Sequence, residues 1–276
     1  REKVKENRLS SEWLGTKGQV DVGDVLWQVL EDSANYSFNK SHSISYASLA
    51  AITAFLKFKY PKEFFLALLK MTRFEPDPIA EIAKVSRELP KFGMKLLSPN
   101  LLKSEMDFSA EGNNLRFGLT SIKGISDKSI KKLENFKSKY STKFEVFQGA
   151  GEAGIGVGIL SALIQAGALE GEFSHSRSYI VAEAQLWNLL TPREKTFAFE
   201  LSEEKKCDLM EIVKYLNQTL KDKNGKPVIK DSRIETIRRN FGPYKQIYDK
   251  NRRNEDFANW YYENALLGYT HGKFLR

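Results

Sequence analysis

Between Tyr36 and Ala47 the chain reads Tyr-Ser-Phe-Asn-Lys-Ser-His-Ser-Ile-Ser-Tyr-Ala. This places a carboxamide (Asn39), a cation (Lys40), an imidazole (His42) and the hydroxyls of Ser41, Ser43 and Ser45 side by side. An apolar run follows at once, with Leu49, Ala50, Ile52, Phe55, Leu56 and Phe58. A polar cluster that opens a helix sits at the positive end of the helix dipole, beside N–H groups with no partner inside the helix. Such a place stabilises an anion. Lys40 adds a point charge, His42 a titratable donor, and Ser41 and Ser43 orientable hydroxyls. The set suits a triphosphate or phosphodiester better than a neutral metabolite. On residues alone, a solvated helix start with an idle Lys and His remains the alternative.

A second cluster spans Leu119 to Ile130 and has the layout of a helix-hairpin-helix: a short apolar helix, the turn Lys123-Gly124-Ile125-Ser126, then a new helix. Glycine at 124 permits a tight turn and lets a partner approach the backbone without a Cβ in the way. The amides that open the next helix can hold a phosphate oxygen, with Lys123 and Lys128 adding charge. A plain helical turn on a basic surface is the competing reading. Ala166-Gly167-Ala168 looks like a second hairpin, but it lacks lysines, which suits packing better than contact with a polyanion.

The charge distribution points the same way. The 276-residue chain carries a formal net charge of +8, with eleven Lys or Arg against four acids in Lys221–Arg253 and seven Lys against two acids in Lys123–Lys143. The rest of the chain is therefore net acidic. Segregated positive charge fits a polyanionic partner, because neutralising phosphates releases counterions.

Several chemistries are excluded. The single cysteine, Cys207, allows no internal disulfide and no cysteine-based zinc site, and it lies in a helical-looking apolar segment as a small core residue would. With only three histidines (His42, His175, His271), no histidine metal cluster is expected. The five glycines of Gly149–Gly158 read as a loop, yet no strand precedes them and no Gly-Lys-Ser/Thr follows, so a nucleotide cradle is not expected. Ile155–Leu169 is too short and too interrupted for a membrane span. No Asp-x-Asp occurs on a strand-like segment, so no catalytic carboxylate pair and no metal site are expected in this chain.

The positioning elements read as mainly α with a small β element. Helices are expected at Val25–Leu30 and over Tyr46–Met71, the latter a core helix split at Pro61. A short amphipathic helix carries Ile79, Ile82, Val85 and Leu89 and ends at Pro90. Met94–Leu97 reads as a buried strand, and Met106–Ala110 and Asn114–Leu119 as a hairpin about Glu111-Gly112-Asn113. Further helices are expected from Ser126, over Glu203–Leu220 and Asp231–Asn240, and from about Asn254 to Leu267.

Phe-Asn-Lys-Ser-His followed by Ser-Ile-Ser-Tyr-Ala, an apolar helix and Tyr60-Pro61-Lys62-Glu63-Phe64-Phe65 closely resembles the fingers of the C-family replicative DNA polymerases. These are the alpha (catalytic) subunits of bacterial DNA polymerase III and their phage relatives. The likeness continues in order through Leu97-Ser98-Pro99-Asn100, Ser104–Phe108, Leu115–Leu119, Ile122-Lys123-Gly124-Ile125 and Leu163–Leu169. It ends at Leu266-Leu267-Gly268-Tyr269 with His271, and Thr191–Asn264 matches poorly. Ser126 stands where the family usually has a second glycine.

The resemblance implies fingers over residues 1–118, a helix-hairpin-helix DNA-binding region over 119–190 and a basic helical segment over 191–276. It implies that Asn39, Lys40, Ser41 and His42 face an incoming deoxynucleoside triphosphate. Lys123, Gly124, Ile125, Ser126, Lys128 and Gly167 would follow the backbone of primer-template DNA. In the family, magnesium and its carboxylates belong to a palm preceding the fingers. This chain starts at Arg1, after them, and is expected to be a cytoplasmic fragment that needs no cofactor and does not polymerise by itself. Gln185-Leu186-Trp187-Asn188-Leu189-Leu190 is a loose candidate for the family's sliding-clamp peptide, and it reads equally as a continuing helix. A different class stays open: a stand-alone DNA-binding or replisome-interaction module without polymerase activity.

Overall fold

A computed structural model describes residues 8–9, 20–37, 40–169, 176–213, 221, 224–227 and 229–270. The chain is mainly helical with small β elements, and it divides into two compact units, Arg1–Lys59 and Tyr60–Arg276.

In the first unit, β1 (Arg8–Leu9) pairs antiparallel with β2 (Val20–Asp21), which runs into α1 (Val22–Ser37). Then α2 (Lys40–Lys59) begins at the polar cluster. The core role expected of this helix is not found. Leu49 is 58%, Phe55 59% and Phe58 75% exposed. An apolar run records that a surface wants cover, and nothing in the run says whether the cover lies nearby in sequence.

The second unit opens with α3 (Pro61–Met71), whose first-turn proline costs no hydrogen bond. Phe65 and Leu69, four apart on one face, are fully buried. A 3-10 turn (Thr72–Phe74) leads to α4 (Pro78–Glu88), capped by Asp77, which accepts from the Ala80 amide at 3.1 Å. Gly93, at φ +70°, ends this segment. The sheet is three-stranded: β3 (Leu96–Leu97) runs parallel to β5 (Asn114–Arg116), and β4 (Ser109–Glu111) antiparallel to it about Gly112. Phe108, Leu115 and Phe117 belong to one buried core with Phe65 and Met94.

Further helices are α5 (Ile130–Phe136), α6 (Lys143–Glu152), α7 (Val157–Gln165), α8 (Arg177–Leu189), α9 (Pro192–Lys205), α10 (Asp231–Asn251) and α11 (Glu255–Leu267), and residues 209–213 are also helical. Among these helices, three readings of the sequence change most. The glycine run is not a loop: Gly149 and Gly151 lie inside α6, and Gly158 inside α7. Gly149 is there for contact, since a Cβ would sit 2.6 Å from the Tyr140 hydroxyl. The helix expected over Glu203–Leu220 breaks at Lys206, which is left-handed at φ 49°, so Cys207 stands half-buried between helices. The helix expected to stop at Asn240 runs on to Asn251 through Pro243, whose exposed position lets water satisfy the carbonyl the proline leaves unpaired.

The C-terminal helix returns to the sheet. A Cβ on Gly268 would meet the Ile79 carbonyl at 2.4 Å, and Tyr269 stacks on Phe117 and donates to the Leu97 carbonyl at 3.2 Å. Among the described residues no helix is long and apolar enough to cross a membrane.

Candidate nucleic-acid interface

The turn at Gly124 is built from both sides. Before it stands only a 3-10 turn (Leu119–Ser121), not the helix its apolar residues suggest, and Gly118 just ahead of that turn crosses close over the Asp107 backbone. A Cβ at 118 would come within 2.4 Å of the Asp107 carbonyl carbon. The turn is pinned by the Lys123 amide donating to the Leu266 carbonyl at 3.1 Å and the Ile125 amide to the Ile122 carbonyl at 3.0 Å. Ile122 and Ile125 are buried beneath it.

Above that floor the surface is open. Gly124 has φ +91° and nothing within 4 Å of where a Cβ would stand. Ser126 caps the following 3-10 turn (Asp127–Ser129) with its carbonyl, which accepts from Ser129 at 2.8 Å, and its hydroxyl makes no cap bond. Lys123, Lys128, Lys131 and Lys132 are all exposed around this turn and along α5. Amides at a helix start, a glycine without a side chain and four free-standing lysines form a surface suited to a phosphate backbone.

The counterpart at Gly167 is closed. Its φ of +80° is similar, but a Cβ there would strike the Arg177 guanidinium at 2.6 Å. Arg177 donates from Nη1 to the Gln165 carbonyl at 3.2 Å and to Glu263 Oε1 at 2.8 Å. The chain's own cation fills that turn. Sequence reasoning missed a third turn: α6, Gly154 at φ +70° and α7 form a helix-turn-helix of two full helices, with the Lys132 stem 3.8 Å from a Cβ at 154. A glycine between two apolar helical patterns was the available signal, hidden because all five glycines read as one loop.

Not every lysine of the basic stretch faces outward. Lys143, 6% exposed, pairs at 2.5 Å with Glu183, which is fully buried, and also with Asp208. Glu183 accepts from the Leu209 amide at 2.6 Å, and the Tyr179 hydroxyl donates to Asp208 at 2.8 Å. Burial pushes Glu183 up to about 7 against the opposing pull of Lys143. Lys137 is likewise occupied, donating to the Ser104 carbonyl at 2.6 Å. A cleft of about 510 Å³ runs beside the open turn, between Lys123–Asp127 and the Lys70, Arg73 and Pro76–Ile79 wall.

In the first unit Lys40 opens α2, with Ser41 and His42 exposed in the turn after it and the His42 ring 4.4 Å from Tyr46. Asn39 and the Lys40 side chain lie outside the described residues, as do His175 and His271. The loose clamp-peptide candidate continues α8, with Leu186 and Trp187 buried and Gln185 donating to Ser161 at 3.2 Å. No group of three or more potential metal ligands occurs among the described residues.

These features define a helix-hairpin-helix region, and residues 93–179 match the family described as helix-hairpin-helix motif. The chain is related by sequence to DNA polymerase III alpha subunits. It is 34% identical to that of Saccharopolyspora erythraea over 157 residues, covering 56% of this chain and 13% of the relative. Against Aquifex aeolicus it is 34% identical over 153 residues, covering 52% of this chain and 12% of the relative. Against Deinococcus radiodurans the figures are 36% over 119 residues, 43% and 9%. The chain thus spans about an eighth or less of the length of these curated relatives.

Proposed function

We propose that this chain holds duplex DNA by its sugar-phosphate backbone, as a region of a replicative polymerase of the DNA polymerase III alpha type. The observation that carries the reading is the Gly124 turn: open at φ +91°, uncapped by side chains and ringed by exposed lysines. Amides and ammonium groups contact phosphate without reading bases, so affinity falls with salt and is insensitive to sequence. Fluorescence anisotropy of the chain on two duplexes of unrelated sequence, titrated with salt, tests it. Equal affinities with a steep shared salt slope are expected; strong preference for one sequence would overturn the reading.

The wider assignment follows from relatedness to those subunits. Residues 1–118 would belong to polymerase fingers, with Asn39, Lys40, Ser41 and His42 at the phosphates of an incoming deoxynucleoside triphosphate. Lys40 would pair with a charge that grows during phosphoryl transfer, which favours the transition state over the ground state. In a full-length enzyme, Lys40→Ala is therefore expected to impair nucleotide use far more than primer-template binding. Early melting with normal nucleotide kinetics would make the cluster a scaffold. Catalytic carboxylates and magnesium would come from a palm outside this chain, and the chain alone should incorporate no nucleotide.

A further inference from the structure

Asp127 is an awkward neighbour for a phosphate. It is the first residue of the 3-10 turn that follows Gly124, its side chain is 63% exposed, and an acid in that position is drawn to the amides of a helix start. Folded onto those amides, its carboxylate would occupy the same donors a phosphate needs and would repel the phosphate as well.

What faces Asp127 from the neighbouring element is Arg73. This residue lies in the 3-10 turn Thr72–Phe74 after α3, far away in sequence. Its Nη1 stands 3.5 Å from Asp127 Oδ2, its Nη2 pairs with Asp107, and its Nε donates to the Lys70 carbonyl at 3.2 Å. Asp107 is anchored in turn by accepting from its own Phe108 amide at 2.8 Å. The guanidinium is thereby fixed on one side and presents its remaining edge to Asp127. The planar guanidinium, with five N–H donors in a fixed fork, can face a carboxylate along each of two edges.

We propose that Arg73 is a positioning residue for phosphate at the Gly124 turn, drawing the Asp127 carboxylate away from the amides and cancelling its charge. This rests on the duplex-backbone reading above and adds to it the residue that keeps the turn receptive. Arg73 acts through Asp127 and does not itself meet the phosphate. Its companions in the cleft are Lys70 and Lys123, and the third acid there, Asp77, is committed to capping α4.

A double-mutant cycle on the full chain, read by duplex affinity and its salt dependence, tests this. Arg73→Gln is expected to weaken binding about three- to tenfold at low salt without changing the log–log slope. Asp127→Ala alone should change affinity by less than about threefold, yet in the Arg73→Gln background it should restore most of the loss. Where Arg73→Gln fails to fold, Arg73→Lys, whose ammonium lacks the planar fork, is run through the same cycle. Purely additive effects would overturn the proposal, and so would a slope reduced by about one unit, which would make Arg73 a phosphate contact. Lys123→Ala plus Lys128→Ala is measured alongside. If that pair leaves the slope unchanged, the duplex reading itself fails; if it flattens the slope while Arg73→Gln is neutral, only the role of Arg73 fails.

Discussion

Gly124 and Gly167 sit in turns of the same hand, at φ +91° and +80°, yet one turn is open and the other filled. Over Gly124 there is empty space; over Gly167 lies the Arg177 guanidinium, held by Glu263 and the Gln165 carbonyl. The same local device can therefore serve an outside polyanion or the chain's own core. What decides is whether a half-buried arginine from the next helix reaches the turn. The lysines divide in the same way, with Lys123 and Lys128 exposed and Lys143 buried among Glu183, Asp208 and the Tyr179 ring.

That division is broken most severely from the buried side. Lys143→Ala leaves Glu183 buried without its cation and should cost about 3–5 kcal/mol in chemical denaturation. The same buried acid makes stability depend on pH. Glu183 binds its proton more tightly folded than unfolded, so its contribution is complete below about 4.5 and is lost as pH rises through about 7. Wild type relative to Glu183→Gln should lose about 3 kcal/mol between pH 4.5 and 8, and a pH-independent difference would mean that the carboxyl stays ionised throughout.

The two glycines give the next contrast. Gly167→Ala adds a strained φ and pushes against a buried ion pair, for a loss of about 2–4 kcal/mol. Gly124→Ala meets open space and pays only for its backbone, about 1–2 kcal/mol, but should weaken duplex binding. Thermal melts beside anisotropy separate the two, and equal destabilisation would contradict the open-and-filled distinction.

Legibility in the sequence followed the range of the interactions. The sheet strands, the Gly112 turn and the start of α3 at Pro61 were readable because alternation and turn chemistry are local. Lys123, Gly124 and Lys128 were readable for the same reason, and the structure leaves them exposed together. Arg177 over Gly167, Arg73 beside Asp127 and Lys143 against Glu183 were not, since each joins residues from 10 to more than 50 positions apart with no pattern linking them. The glycine run misled because Gly149 serves a close contact with Tyr140, while only Gly154 makes the turn. The apolar face of α2 misled in the opposite sense, announcing burial that the described residues do not supply.

Whether the open turn holds phosphates is decided by the salt dependence of duplex binding in Lys123→Ala plus Lys128→Ala. Both side chains are exposed, so melting should be unchanged, while the log–log salt slope should flatten by about two units, one for each lost phosphate contact. A slope equal to that of the wild type would contradict the account and leave the hairpin a structural turn.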